Sequence, residues 1–515
     1  MRNNVNITIS LICKRLCVSL MISAITLTAF QKAVVAQNKI NSPLSVSKAN
    51  PGYFADANGN IVYLTGSHTW ATLVDISPSD PPASIDFNVY LDWMQQYNHN
   101  FLRLWTIELL RWHSTNLGKT FTIYPHPWKR TGPGLAFDGK PKFNLDEFDE
   151  EYFTRLKTRL YRAKKRGIYV SVMLFEGFEM QFAKDAWKNH PFHPGNNINS
   201  INADLDGDGN GLELYTLSSP EALTVQEKYV SHVIDVLNDF DNLLYEISNE
   251  THPASTQWQY HLINLIHEYE KTKPKQHPVG MTFQYKGGSN DNLFASPAEW
   301  ISTTSPAGVF NNLPVSDGDK VIIYDTDHLW GIGGNGPWVW KTFLRGMYPI
   351  FMDPYDGGFS GKPFDPDFEP VRRNMGYTRI YAEKMDLSKT VPSGDLSSTT
   401  YCLANPGHEY LVYQPSPDTV FSVNLEKGKY KYEWFNPGSG QIEGSGKMKT
   451  GKDHRTRFKA PFSGDAVLYL KAHSIEQAVE LRNTIRETGV VFQLGHENRW
   501  QQYSNYGTSV ARTKK

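Results

Sequence analysis

The stretch Leu243-Leu244-Tyr245-Glu246-Ile247-Ser248-Asn249-Glu250 decides the fold. Leu243 to Ser248 reads as a strand that is almost wholly apolar and lacks clean alternation, the pattern of a parallel sheet buried on both faces. Just before it, Pro220 to Asn238 predicts a helix, with Ser218 and Ser219 as caps and Pro220 in the first turn. Working outward, the same strand-helix alternation runs from residue 60 to about 385. Strands are predicted at Ile61 to Thr65, Phe101 to Thr106, Tyr169 to Phe175, Val279 to Phe283, Trp300 to Thr303, Val321 to Tyr324 and Pro349 to Met352, and a helix at Glu150 to Arg166 ends at Gly167. With the opening stretch these make eight. A doubly wound open sheet would give similar strands, but no Gly-x-Gly-x-x-Gly follows the first, and carboxylates recur after several different ones. That distribution predicts a (β/α)8 barrel with its loops gathered at one face.

The chain is too long, at 515 residues, for a single core. Its expected organisation is a signal peptide over 1–36, the barrel over 37–387, a β-sandwich over 397–473 and an extension over 474–515. The signal rests on Arg2, Lys14 and Arg15, the apolar run Leu16 to Phe30 and the small residues Val34-Val35-Ala36. It predicts a secreted or periplasmic protein, with membrane attachment only if the segment stays uncleaved. Beyond it Cys402 is the single cysteine, so no intramolecular disulfide is expected. The formal charge of -1 and the lack of long basic runs argue against a nucleic-acid partner.

Two converging carboxyls are what glycosidic hydrolysis requires, one to protonate the leaving oxygen and one to act as nucleophile or base. Glu250, after the fourth strand, is the best first member, and Asn249 beside it can bind a sugar hydroxyl. Asn249-Glu250, with Asn100-Phe101-Leu102-Arg103 on the second strand, resembles the clan A retaining glycoside hydrolases. The resemblance implies that Glu250 is the acid/base and that Arg103 supports the nucleophile. Gly66-Ser67-His68-Thr69-Trp70 and the strand order also resemble the domain-of-unknown-function 4038 proteins, which include the apiosidases of glycoside hydrolase family 140. Clan A places a glutamate after strand seven, whereas this chain has Asp325-Thr326-Asp327-His328 there. Asp325 and Asp327 are therefore both candidates for the second carboxylate, and the shorter side chain leaves the stereochemistry open.

Further residues expected to hold substrate are His68, Trp70, Trp105, Glu108 and Glu176, together with His328, Trp330 and Asp353; Glu179 and Asp356 also follow strands. Indole and phenol faces stack on the C-H faces of sugars, so aromatic loops beside carboxylates predict a carbohydrate partner. No cofactor is expected to be required. Asp204, Asp206 and Asp208 have calcium-loop spacing, with Glu213 nearby, and suggest a structural calcium ion. The strands after residue 397 resemble collagen-binding-type sandwich modules, and Ile475 to Trp500, with a helix at Ile475 to Glu487, resembles a fragment of the glucose-fructose oxidoreductase family, too short to imply a nicotinamide cofactor. Two alternatives stand beside the glycosidase reading: a non-catalytic carbohydrate-binding or adhesion protein, and a metal-assisted hydrolase using Asp325, Asp327 and His328.

Overall fold

In a computed structural model, Leu243–Asn249 is a strand in which every residue is buried. The structure describes residues 40–473, except 115–116, 306–313, 356, 358–360 and 451–453, together with the paired strands Val491–Leu494 and Trp500–Tyr503. The expected signal peptide, the helix at 475–487 and Asp356 lie outside the described residues. Among those described, no helix is long and apolar enough to cross a membrane.

Eight parallel strands form the barrel: β1 (Gly66–His68), β2 (Phe101–Leu104), β3 (Tyr169–Glu176), β4 (Leu243–Asn249), β5 (Val279–Thr282), β6 (Trp300–Ser302), β7 (Val321–Asp325) and β8 (Tyr348–Met352). Hydrogen-bonded neighbours run β1-β8-β7-β6-β5-β4-β3-β2. The seam between β1 and β2 is bridged by Asn100: its backbone N–H donates to Thr65 O at 3.0 Å, its Oδ1 accepts from Thr65 N at 3.0 Å, and its Nδ2 donates to Tyr63 O at 2.8 Å. Close approach here depends on Gly66, where a Cβ would lie 2.1 Å from Phe101 O. Around the strands lie α1 (Phe87–Gln96), α2 (Glu150–Lys164), the short α3 (Phe178–Phe182), α4 (Pro220–Leu237), α5 (Thr256–Glu270), α6 (Asn290–Phe294), α7 (Gly336–Leu344) and α8 (Glu369–Lys384). Gly167 takes φ 70° just beyond α2, the left-handed conformation that lets the chain turn into β3. Pro220 opens α4, but the Ser219 side chain makes no cap hydrogen bond.

The expected first strand needs correction. Ile61–Val62 belongs to an antiparallel sheet with Phe54–Ala55 and Ser45–Val46, while the barrel's own first strand is Gly-Ser-His. That triplet has little strand propensity and is held by pairing with Ile350 to Met352. Between β2 and α2 the chain also inserts antiparallel strands that the alternation did not announce: Arg111–Ser114 and Lys119–Tyr124, which join Asp75–Ser77, and the hairpin Trp128–Leu135 with Pro141–Phe148.

The chain divides into two compact units, the second made of the chain from Lys384 onward together with Leu344–Gly346. The second contains a six-stranded antiparallel sheet and a two-stranded one, Phe421–Asn424 with Arg455–Phe458. Val412, Leu468 and Trp434 of the larger sheet and Phe421 and Val423 of the smaller share one buried cluster.

Candidate active site

Arg103 on β2 is 1% exposed, and its five donor hydrogens must all find acceptors. They do. Nε donates to Glu246 Oε2 at 2.9 Å and Nη2 to Glu246 Oε1 at 2.5 Å; Nη2 also reaches Asn249 Oδ1 at 2.7 Å, and Nη1 reaches Asp325 Oδ2 at 2.9 Å and Asp327 Oδ2 at 3.0 Å. Because guanidinium only donates, the Asn249 oxygen must face Arg103, and its amide nitrogen then donates to Glu176 Oε1 at 3.0 Å. His68 is similarly occupied: Trp105 Nε1 donates to its Nδ1 at 3.0 Å, so the ring proton sits on Nε2 and is donated to Asp325 Oδ1 at 2.9 Å. His68, expected to touch substrate, instead lies beneath the site with no donor left to offer, and Arg103 lies there too, holding both candidate aspartates.

This network separates the two aspartates. Asp325 ends β7, and its Oδ1 also accepts from the Asp327 backbone N–H at 3.0 Å, opening the 3-10 turn Thr326–His328. Burial pushes its carboxyl up, but His68 and Arg103 outweigh that and hold it well below the usual carboxylate range. Asp327, carried forward by the turn, lines a cavity of about 620 Å³ at the C-terminal ends of the strands. Burial pushes Asp327 up to about 6 against the pull of Arg103. Its Oδ1 takes no hydrogen bond from any described residue, whereas Oδ2 is held by Arg103.

Glu250 lines the same cavity. It follows β4 with φ 45°, a left-handed conformation unfavourable for a residue with a Cβ and frequent where function fixes a side chain. The loop is braced from α3: Gln181 Nε2 donates to Glu250 O at 2.7 Å, and Gly177 N donates to Asn249 O at 2.9 Å. Burial, with the carboxyls of Asp327 and Glu176 nearby, pushes Glu250 well above the usual range. Its carboxyl makes no hydrogen bond to a described residue. Asn249 and Glu250 are thus part of the cavity wall rather than caps of α5, which begins at Thr256.

The cavity also gathers Trp70, Trp105, Glu176, His328 and Trp330 from the expected set, with Trp112, Phe178 and Glu179. Glu176 is pushed up to about 8 by burial, against its bond from Asn249. His328 is lowered to about 3, chiefly by burial and then by Arg103, so the ring is neutral; its Nδ1 pairs with Ser302 Oγ at 2.7 Å. Trp338 and Trp340 are buried on α7.

Three expectations are corrected. Glu108 does not line the cavity; its Oε2 accepts from the Glu176 backbone N–H at 3.0 Å from behind. Asp353 is fully buried and chelated by Arg372 of α8 at 2.7 and 2.8 Å, which makes it a structural ion pair instead of a sugar ligand. In the acidic loop the carboxylates that come together are Asp204, Asp206 and Glu213; Asp208 turns away to bond the backbone N–H and side-chain amide of Asn210. Asp325, Asp327 and His328 form no metal-ligating group among the described residues, because Arg103 lies between the two aspartates. The sequence reading missed Glu246, Phe283 and Tyr285. Glu246 alone carried a signal, since a charge amid a buried strand demands a partner.

A family model described as "Domain of unknown function (DUF6298)" matches residues 113–295; it is not the 4038 domain. No curated protein matches the chain significantly. Among solved structures, one titled "Glycoside hydrolase" is 12% identical, with a TM-score of 0.51 over 84% of this chain and 97% of its own. A glycoside hydrolase family 5 protein from Bacteroides vulgatus is 11% identical, with a TM-score of 0.53 over 84% and 93%. A third, from the same organism and provisionally titled a glycoside hydrolase, is 14% identical, with a TM-score of 0.56 over 85% and 83%. The protein therefore has the (β/α)8 barrel fold found in glycoside hydrolases, with its carboxyl-lined cavity at the barrel's C-terminal face.

Proposed function

We propose that the protein is a secreted glycoside hydrolase that cleaves O-glycosidic bonds in a plant or microbial glycan, with Glu250 as general acid/base and Asp327 as nucleophile. The observation that carries this reading is the pairing of two unlike carboxyls in one cavity. The Glu250 carboxyl accepts no hydrogen bond from a described residue and has a strongly raised proton affinity, while Asp327 is held by a guanidinium and loses its proton first. A protonated Glu250 donates to the glycosidic oxygen as that bond breaks. Asp327 Oδ1 attacks the anomeric carbon and forms a glycosyl ester. Glu250, now ionised, takes a proton from the water that hydrolyses the ester, giving net retention. Arg103 stabilises the returning carboxylate, and Asn249, locked between Arg103 and Glu176, presents a fixed amide edge beside the reacting sugar.

The test is product analysis on a panel of aryl glycosides and of pectic and hemicellulosic glycans. Glu250→Gln is expected to lose roughly 10²- to 10⁴-fold in turnover of natural glycans, the usual contribution of general acid catalysis, and proton NMR is expected to show retained anomeric configuration. Binding with no turnover, unchanged by the substitution, would instead identify a carbohydrate-binding protein.

A further inference from the structure

Glu179 is 4% exposed and lines the cavity from α3, yet neither of its carboxyl oxygens accepts a hydrogen bond from a described residue, and its Oε2 is wholly buried. A buried acceptor without a donor is costly unless a bound molecule supplies one. The surrounding wall has the same character. Its ionisable residues are Glu176, Glu179, Glu250, Asp327, Tyr285 and a neutral His328, and no lysine or arginine is among the described residues that line it. The nearest cation, Arg103, has every donor committed to protein acceptors.

We infer that Glu179 is a specificity-determining residue that accepts a hydrogen bond from a donor group on the bound sugar, and that this cavity takes neutral or amine-bearing sugars while rejecting uronic acids. The inference rests on the carbohydrate reading of the site. A hydroxyl or an ammonium would each complete Glu179. The carboxylate of a uronide would enter a buried wall of four carboxyl groups with no lining lysine or arginine as counterion, and most of its desolvation would go uncompensated.

Binding separates this claim from catalysis. In the Glu250→Gln protein, where turnover is silenced, affinities are measured calorimetrically for matched p-nitrophenyl glycosides of gluco and galacto configuration: the neutral sugar, the 2-amino-2-deoxy sugar and the uronide. The neutral or amino member is expected to bind at least about tenfold more tightly than its uronide, the equivalent of one lost charge-assisted hydrogen bond. Glu179→Ala should weaken the preferred member by roughly the same factor, and Glu179→Lys should raise uronide affinity. An amino sugar that outbinds its neutral partner identifies an ammonium as the group Glu179 takes, and equal affinities identify a hydroxyl. Uronides bound as tightly as their neutral partners by the otherwise native cavity would overturn the inference, whether or not either Glu179 variant folds. Charge-selective binding in a protein whose parent turns over no glycan would leave the inference standing and remove the catalytic proposal.

Discussion

Asp327 and Glu250 share a cavity but give up their protons over different ranges, which sets a pH profile. The nucleophile must be ionised, so kcat/KM should rise with pH through about 6, where burial has placed Asp327. The acid must be protonated, so activity should fall again at a higher pH set by the raised Glu250. A profile with no acidic limb near 6 would count against Asp327 in this role. The place of Glu250 at the cavity was legible in the sequence through its position after the fourth strand. The choice between Asp325 and Asp327 was not, because residues two apart on a strand point the same way. The strand ends at Asp325, and the following 3-10 turn carries Asp327 into the cavity while Asp325 stays below as its cap. The role of His68 was hidden for a related reason. Residue type announces a donor, but only the fold reveals that every donor is already taken.

At the level of elements, the barrel's closure turns on Gly66. Substituting alanine would drive a Cβ to 2.1 Å from the Phe101 carbonyl across the β1–β2 seam, where both sides are backbone and neither can step aside. Gly66→Ala should therefore destabilise the protein by ~1–3 kcal/mol in urea unfolding, as overpacked cores do; native stability would show that the seam can open freely. Seven of the eight strands were readable to within a residue or two because their apolar runs are buried on both faces. The first was displaced because Ile61 and Val62 look more strand-like than Gly66-Ser67-His68 but pair in a different sheet. The inserted strands from Arg111 to Phe148 escaped notice because residues such as Lys119, Lys129 and Lys142 break the apolar pattern of edge strands that face water. One of them nevertheless brings Trp112 to the cavity.

Over the whole molecule, each compact unit holds a buried hydrophobic cluster, and there is no covalent staple among the described residues. Cys402 is buried and free, its thiol pushed up to about 12 by burial. The unfolding temperature should therefore be the same with and without reductant; losing a structural disulfide would cost ~2–5 kcal/mol and would be plainly visible. The alternation of strands and helices made the two-part architecture legible, while the division of labour inside the cavity was not, since it depends on contacts between residues more than 200 positions apart. Arg103 makes that separation consequential. Its first partner, Glu246, emerges from the ribosome some 140 residues after it and its last, Asp327, more than 220 after it. Until the seventh strand docks, the guanidinium has only part of its coordination, so a nascent or truncated barrel leaves the Nη1 donors at its centre without their acceptors. The constellation proposed for catalysis is thus complete only when the chain that supplies it has finished closing the barrel.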